Sequence, residues 1–500
     1  MKNILRIFLV FTTAAFISCD EDLDINTNPN VPAEINGGLT LTAAQASIAA
    51  TVSNELGNVG GFYAQYHTQA PTAGQYENID QYNLNTTFAN TMWTELYAGA
   101  LNDLQFTKQQ ADLQGDTGTA LMTEVLTAYT YQYLVDLFDD VPYTTALQGT
   151  TGNITPALTP GEEVYADLLE RIDAALAAYE ANPTDPTYGQ QDVIYGDDAA
   201  TQMDNWVKFA NTLKLRMYLR MAYTPMANPA AVTALLAENN FLTVDAKFDV
   251  FGTDNNRRNP FFETQLSQTG LGDINHVASN SLLQFYVEND DPRYTAVYRP
   301  NTAGAYVGIE QGTGDEFNNT AVNYSRPNVQ AQTPVFFMSA AESYFLQAEA
   351  LIRYSGGTGA KEAYDMGVMA SFDLYAEHFG LEDTSAAATL LGTGGAYEYQ
   401  PGADVEATVR QVIIQKWASL AYVNNIEAWI EATRTKFPEI VDPGTEDYAV
   451  GNRIPSSISV LPGNTVPSIL FYPDDEVTRN PNVTQRGSLT ENVWWDQKPE

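Results

Sequence analysis

Between residues 119 and 138, apolar side chains fall into two adjacent rows at helical spacing. Leu121, Val125, Ala128 and Val135 form one row, and Met122, Leu126, Tyr129, Tyr133 and Leu137 the other. A stripe that wide has to be covered from two sides, which predicts a helix layered between helical partners. The same period recurs in Trp93, Leu96, Tyr97, Ala100, Leu101 and Leu104, and again in Trp206, Phe209, Leu213, Met217 and Met221. The chain therefore reads as mainly α, and 500 residues with 44% hydrophobic content suffice for one large core or two small ones.

Punctuation places the remaining elements. Thr42 and Gln45 have capping-box spacing, predicting a helix over residues 42–56 that Gly57, Gly60 and Gly61 end. Residues 62–85 hold Phe62, Tyr63, Tyr66, Tyr76 and Tyr82 among Gln, Asn, Thr and Asp without a sustained period, and read as a long aromatic loop. Thr159, Pro160 and Glu162 supply a cap, a first-turn proline and a carboxylate for a helix to about residue 180. Residues 239–334 lose helical periodicity apart from 281–288, and read as loops and small hairpins with room to line a site. Ser339 and Glu342 open a helix that stops at Gly356 and Gly357, and a second runs over residues 361–379. This pair resembles one tetratricopeptide unit, with Gly367 and Ala370 allowing close approach. One further helix is expected over residues 405–436, before a proline-rich, irregular tail from Val441.

Lys2 and Arg6 precede an apolar run of about ten residues, too short for a bilayer span of roughly 20, so the start reads as an export signal. Phe16-Ile17-Ser18-Cys19 resembles a bacterial lipobox with Phe16 in place of the usual Leu, which implies lipidation of Cys19, the single cysteine. Asp20-Glu21-Asp22-Leu23-Asp24 resembles the surface-export signal of Bacteroidetes lipoproteins and equally suits a solvated tether. The expected organisation is a signal peptide over 1–18, a lipidated tether over 19–38 and one domain over 39–500.

A formal charge of −38, from 24 basic against 62 acidic residues, disfavours nucleic acid and anionic surfaces as partners. Charged residues are only 17% of the chain, so much of its surface is neutral and polar, suited to hydrogen bonding with neutral ligands. His67, His276 and His378 lack zinc-motif spacing, and there is no Gly-x-Ser-x-Gly elbow or phosphate loop, so no catalyst is expected. No cofactor is expected either; the metal question stays open, since scattered Asp and Asn could hold calcium without a recognisable loop. Tyrosine offers a flat apolar face and a hydroxyl, which makes Tyr66, Tyr76 and Tyr82 the stacking candidates, with Gln75, Asn78 and Asn85 for hydrogen bonds. Asn318, Asn319 and Tyr324 are a second choice. Trp93, Trp206 and Trp417 lie on helical stripes and are assigned to the core, and Arg216 and Arg220 to structural pairing with carboxylates.

An ordered series of landmarks runs through the chain: Leu134-Val135-Asp136-Leu137-Phe138 leading into Asp140-Val141-Pro142-Tyr143, the stretch from Trp206 to Arg220, Gln415-Lys416-Trp417, Phe471-Tyr472-Pro473, and Trp494-Trp495-Asp496. In this order they resemble the SusD/RagB family of Bacteroidetes nutrient-binding outer-membrane lipoproteins. Asp139 departs from the glycine usual before that turn, but Asp tolerates left-handed backbone well. The resemblance implies an α-α scaffold of tetratricopeptide-like helix pairs with an irregular, loop-rich ligand-binding face and a few short β-hairpins. It also implies a surface-exposed, lipid-anchored, non-enzymatic protein that binds an oligosaccharide or peptide and passes it to a SusC-like TonB-dependent outer-membrane transporter. The alternative expectation is an envelope scaffold whose helix repeats bind other proteins.

Overall fold

The computed structural model describes residues 36–314, 320–442, 444 and 448–498. Cys19, the tether up to residue 35, Asn318 and Asn319 lie outside the described residues. The fold is mainly α, with four two-stranded antiparallel pairs of short strands among the described residues. No described helix is long and apolar enough to cross a membrane.

The first helix, Gly37–Ser53, begins earlier than its capping-box residues suggest. Asn36 caps it by accepting from the Leu39 amide at 3.0 Å, and Gln45 instead turns inward to donate to Asp192 at 2.7 Å. Gly37 and Gly38 therefore belong to the helix and not to the tether. A Cβ at Gly37 would stand 2.5 Å from the Tyr188 ring, so the close approach needs glycine. Gly57, Gly60 and Gly61 do not terminate a helix; they lie inside the next one, Glu55–Tyr63. Its backbone passes so near the chain at Asn425 that a Cβ on Gly60 would sit 2.6 Å from the Asn425 carbonyl.

The helix with the double apolar row, Thr117–Phe138, is capped by Asp116 and packs between Asn102–Gln114, Gly161–Ala181 and Gln202–Arg220, as its width demands. Its end is set by Asp139, which adopts φ 64° and receives the Trp494 amide on its carboxylate at 2.8 Å. Pro160, with no side-chain cap, precedes the Gly161–Ala181 helix, because Thr159 is drawn into a strand pair with Val141–Pro142. Ala340–Tyr354 and Ala360–Phe379 form the expected antiparallel pair, and Val405–Ser419 packs on its first member. The single helix expected over 405–436 is two. Tyr422 at φ 58° breaks it, and Asn424 caps a new helix, Asn425–Thr435, by accepting from the Glu427 amide.

Two main apolar clusters result. One surrounds Trp206, Trp429 and Trp495, the other Trp417, Phe345 and Tyr375, and the Asn425–Thr435 helix feeds Trp429 to the first and Ala428 to the second. Between these helices lies a buried ionic network. Arg216, Arg220, Arg353, Lys416 and Arg434 face Asp136, Glu342, Glu349, Glu427 and Glu431. Arg220 Nη2 lies 2.8 Å from Glu427 and its Nε 3.1 Å from Asp136, whose other oxygen accepts from Trp495 Nε1 at 2.8 Å. Buried cations need such pairing, because desolvation alone costs several kcal/mol per ion. Arg216 and Arg220 are thus structural, as their sequence context suggests.

Candidate ligand-binding face

The chain leaves the Glu55–Tyr63 helix through Gln65, at φ 61°, into the strand His67–Gln69. That strand pairs antiparallel with His276–Ala278, with His67 opposite Ala278 and Gln69 opposite His276. A turn with Thr72 at φ 65° and the short helix Glu77–Asp80 follow. Asp80 then ties this loop down. Its carboxylate accepts from Thr68 Oγ1 at 2.8 Å, the Gln69 amide at 3.3 Å and Gln311 Nε2 at 2.5 Å. Gly312 donates to Thr68 Oγ1 at 3.2 Å, Ser457 to the Gln311 carbonyl at 3.1 Å and Val460 to the Gln81 carbonyl at 2.9 Å. Three loops distant in sequence, around residues 68–82, 309–314 and 456–460, thereby form one face. Burial raises Asp80 to about 6 against the hydrogen bonds from Thr68, Gln69 and Gln311 that favour its charged form.

Beneath this face lies an aromatic cluster. The His67 and His276 rings are 4.7 Å apart, and Phe62, Tyr76, Phe261 and Tyr422 close around them. His67 is held between the Asn58 carbonyl at 3.1 Å and the Tyr422 hydroxyl at 3.2 Å, and His276 Nε2 meets Asn58 Oδ1 at 2.7 Å. Burial lowers His67 to about 3 and pushes His276 well below the ordinary histidine value. Both imidazoles are therefore neutral at pH 7.

The structure places the expected stacking tyrosines in the interior. Tyr66 is fully buried and donates to the Trp417 carbonyl at 2.5 Å while Tyr298 donates to the Tyr66 carbonyl at 2.6 Å. Tyr76 donates to Gln265, and its amide donates to Gln69 Oε1 at 2.6 Å. Tyr82, at φ 58°, sets its ring 5.4 Å from Tyr63. Tyr324 is buried with Ala70, Val277, Ile309 and Ala321 in a small cluster of its own. These rings hold the loops to the scaffold, because a fully buried aromatic contributes more by leaving water than by waiting exposed for a ligand. None of the four presents a face to solvent.

The polar candidates fare differently. Gln75, Asn78 and Asn85 are exposed on this loop. Asn85 Oδ1 accepts from the amide and hydroxyl of Thr87 at 3.1 and 2.7 Å, which fixes the orientation of this exposed side chain. The neighbouring loop exposes Leu271 and Ile274, and its Asp273 is held by Arg299 at 2.8 Å and Arg326 at 2.7 Å. Such a surface can form hydrogen bonds and shallow apolar contacts with a neutral polar molecule. Among the described residues no three His, Cys, Asp or Glu side chains gather in a way that could hold a metal ion. Asp80, Gln311 and the His67–His276 contact had no local signal in the sequence; the partners stand 231 and 209 positions apart, and they meet only in the tertiary structure, the histidines through the pairing of their strands.

Comparison with known proteins bears on what this face is for. No curated protein matches the chain. Among solved structures it is similar to a SusD homologue from Bacteroides uniformis, with 22% identity over 92% of this chain and 99% of that one and a TM-score of 0.73. A SusD/RagB family protein from Bacteroides thetaiotaomicron matches at 21% identity over 93% and 100%, with a TM-score of 0.72. A SusD homologue from Flavobacterium johnsoniae described as chitin-binding matches at 18% identity over 91% and 98%, with a TM-score of 0.71. These likenesses show the fold. A family model described as "Starch-binding associating with outer membrane" matches residues 29–458, which is most of the chain, and with the helical scaffold and its pinned loop face this shows that the protein belongs to the SusD-like family.

Proposed function

We propose that this protein captures a glycan on the face built from residues 68–85, 309–314 and 456–460, and hands it to a SusC-like TonB-dependent transporter at the outer membrane. The observation that carries the reading is the juxtaposition of three loops around Asp80, the first of them rich in Asn and Gln, on a family scaffold described as starch-binding. Family members are binding proteins and not enzymes, and the face accordingly offers hydrogen-bonding groups. A glycan is favoured over a peptide because the family description names starch and one similar structure is described as chitin-binding. Gln75, Asn78 and Asn85 are the proposed contacts on this chain, joined by Asn318 and Asn319. Residues 1–18 are proposed as a signal peptide and Cys19 as the lipidated residue, followed by a short tether and a single domain extending to residue 500.

The test is titration of the full chain with malto-oligosaccharides, chito-oligosaccharides and short peptides. Saturable binding to one glycan series is expected. The combined change of Gln75, Asn78 and Asn85 to Ala should weaken it at least about tenfold, three hydrogen bonds being worth roughly 0.5–1.5 kcal/mol each, with the melting temperature unmoved. Binding to neither glycan series, alone or with the transporter present, overturns the reading. Cys19→Ser should release the protein from the membrane fraction without altering glycan affinity, and unchanged membrane retention would remove the anchoring proposal.

A further inference from the structure

A cavity lies on another part of the scaffold, between the Asn102–Gln114, Thr117–Phe138 and Gly161–Ala181 helices and the loop after Pro142. Its volume is about 600 Å³, within the roughly 300–1,000 Å³ of small-molecule sites. None of its lining residues belongs to the loop face. The floor is apolar, formed by Leu101, Leu104 and the Tyr131 ring, all buried.

The walls are fixed by a side-chain network. Glu163, Asp167 and Arg171 recur every four residues along one helix face, so all three reach the cavity. Arg171 places Nε and Nη2 on Glu124 at 3.0 and 2.7 Å and Nη1 on the Tyr143 hydroxyl at 2.9 Å, and that hydroxyl donates to Asp167. The Tyr143 ring stands edge-on to Tyr131 with centroids 4.7 Å apart. Tyr131 is 3% exposed, yet its hydroxyl has no hydrogen-bond partner among the described residues. The hydroxyl opens onto the cavity, where it is free to bond a polar group of a bound molecule.

We propose that this cavity is a second binding site, separate from the loop face, for a short neutral saccharide. Charge selects against anions. Asp167 and Glu163 repel an anion, and Lys108 and Arg171 are already paired, with Asp112 and Glu124, so neither is left to hold one. What remains around the apolar floor is a ring of carboxylate acceptors, the Gln105 and Gln148 amides and the free phenol. Hydroxyls that both donate and accept satisfy such a mixture, and the apolar face of a sugar ring covers the leucines. A peptide presents fewer groups of that dual character in the same volume.

The experiment uses the full chain with leucine methyl labels, titrated with maltotriose, chitotriose and, as a contrast, trialanine. A saccharide should shift the methyl signals of Leu101, Leu104 and Leu147 saturably. Tyr131→Phe should weaken that response about five- to tenfold, the loss of one hydrogen bond, while leaving the unfolding midpoint unchanged or raised. Leu147→Trp should fill the cavity and abolish the response. Asn78→Ala, on the loop face, should leave it intact. Silence of the three leucines with both sugars, a response to trialanine only, or equal affinity in Tyr131→Phe overturns the proposal. Loss of glycan binding at the loop face with the leucine response retained would sink the proposed function there and leave this site standing.

Discussion

The contact between His67 and His276 is where single residues report most directly on the fold. Both rings are enclosed by Phe62, Tyr76, Phe261 and Tyr422 with Asn58 as the polar partner, and none of these can carry a charge at neutral pH. Burial holds His67 at about 3, against 6.5 for a free histidine, and His276 lower than its ordinary value by the same cause. The unfolded chain takes up protons below pH 6.5 that the folded chain refuses. This contribution to stability is therefore complete above pH 6.5 and is lost as pH falls toward 3, at roughly 1.4 kcal/mol per pH unit for each histidine. In His276→Asn the slope of unfolding free energy between pH 6 and 4, measured by urea titration, should be shallower than in the native protein by about that amount. Equal slopes would show that His276 is protonated in the fold.

Asp80 carries the opposite sign. Burial raises it to about 6, above the ordinary carboxylate 3.8, so its contribution to folding is greatest when protonated and diminishes as pH rises through 6. Even so, Asp80→Ala should destabilise by about 1–3 kcal/mol, since Thr68, Gln69 and Gln311 lose their acceptor. Hydrogen exchange at residues 311–314 should quicken more than in the helices. Uniform quickening across the molecule would mean that Asp80 does not act as the local tie between loops. The tyrosines teach a related point. Their abundance in residues 62–85 was legible, but whether a tyrosine stacks on a ligand or on Trp417 and Tyr63 depends on which surfaces fold over it, and composition carries no information on that.

At the scale of elements, periodicity located helices well and their ends less well. The double row in Thr117–Phe138 and the stripe in Gln202–Arg220 announced themselves, whereas the Gly-rich Glu55–Tyr63 looked like a terminator. Glycine weakens a helix by roughly 1 kcal/mol relative to Ala, and the structure shows what offsets it: Gly60 lets the helix touch the backbone at Asn425, and Gly61 makes room for the His67 ring. Gly60→Ala should accordingly destabilise by about 1–3 kcal/mol despite better helix propensity. Gly74→Ala, where an added methyl meets nothing within 4 Å, should stay within about 0.5 kcal/mol. If thermal or chemical denaturation gives the two variants the same stability, the close approach at Gly60 is not a packing constraint. The break at Tyr422 was hidden for a similar reason. A positive φ at tyrosine has no sequence signature, and here it is imposed by the Asn425 side chain accepting from the Tyr422 amide at 2.6 Å.

For the molecule as a whole, the buried ionic network sets how separate helices are joined. Arg220 alone meets carboxylates from the Thr117–Phe138 and Asn425–Thr435 helices. Arg220→Ala would leave Asp136 and Glu427 facing each other without that cation, and should cost about 3–5 kcal/mol, read as a fall in the denaturant midpoint. A cost under about 1 kcal/mol, typical of exposed pairs, would show that water reaches the network.

The sequence by itself determined the helical class, the order of the long helices and the family landmarks, because amphipathic periodicity is a local property that each helix must carry to bury its own face. It also determined that the residue at the end of the Thr117–Phe138 helix had to tolerate positive φ, as Asp139 does. Only the tertiary structure decided which polar loops meet around Asp80, which tyrosines are interior, and that Tyr131 keeps a free hydroxyl in a cavity. Those outcomes depend on contacts between elements separated in sequence, by hundreds of positions for Asp80 with Gln311 and Tyr66 with Trp417, whose energies are set by burial and by partners that no local pattern encodes.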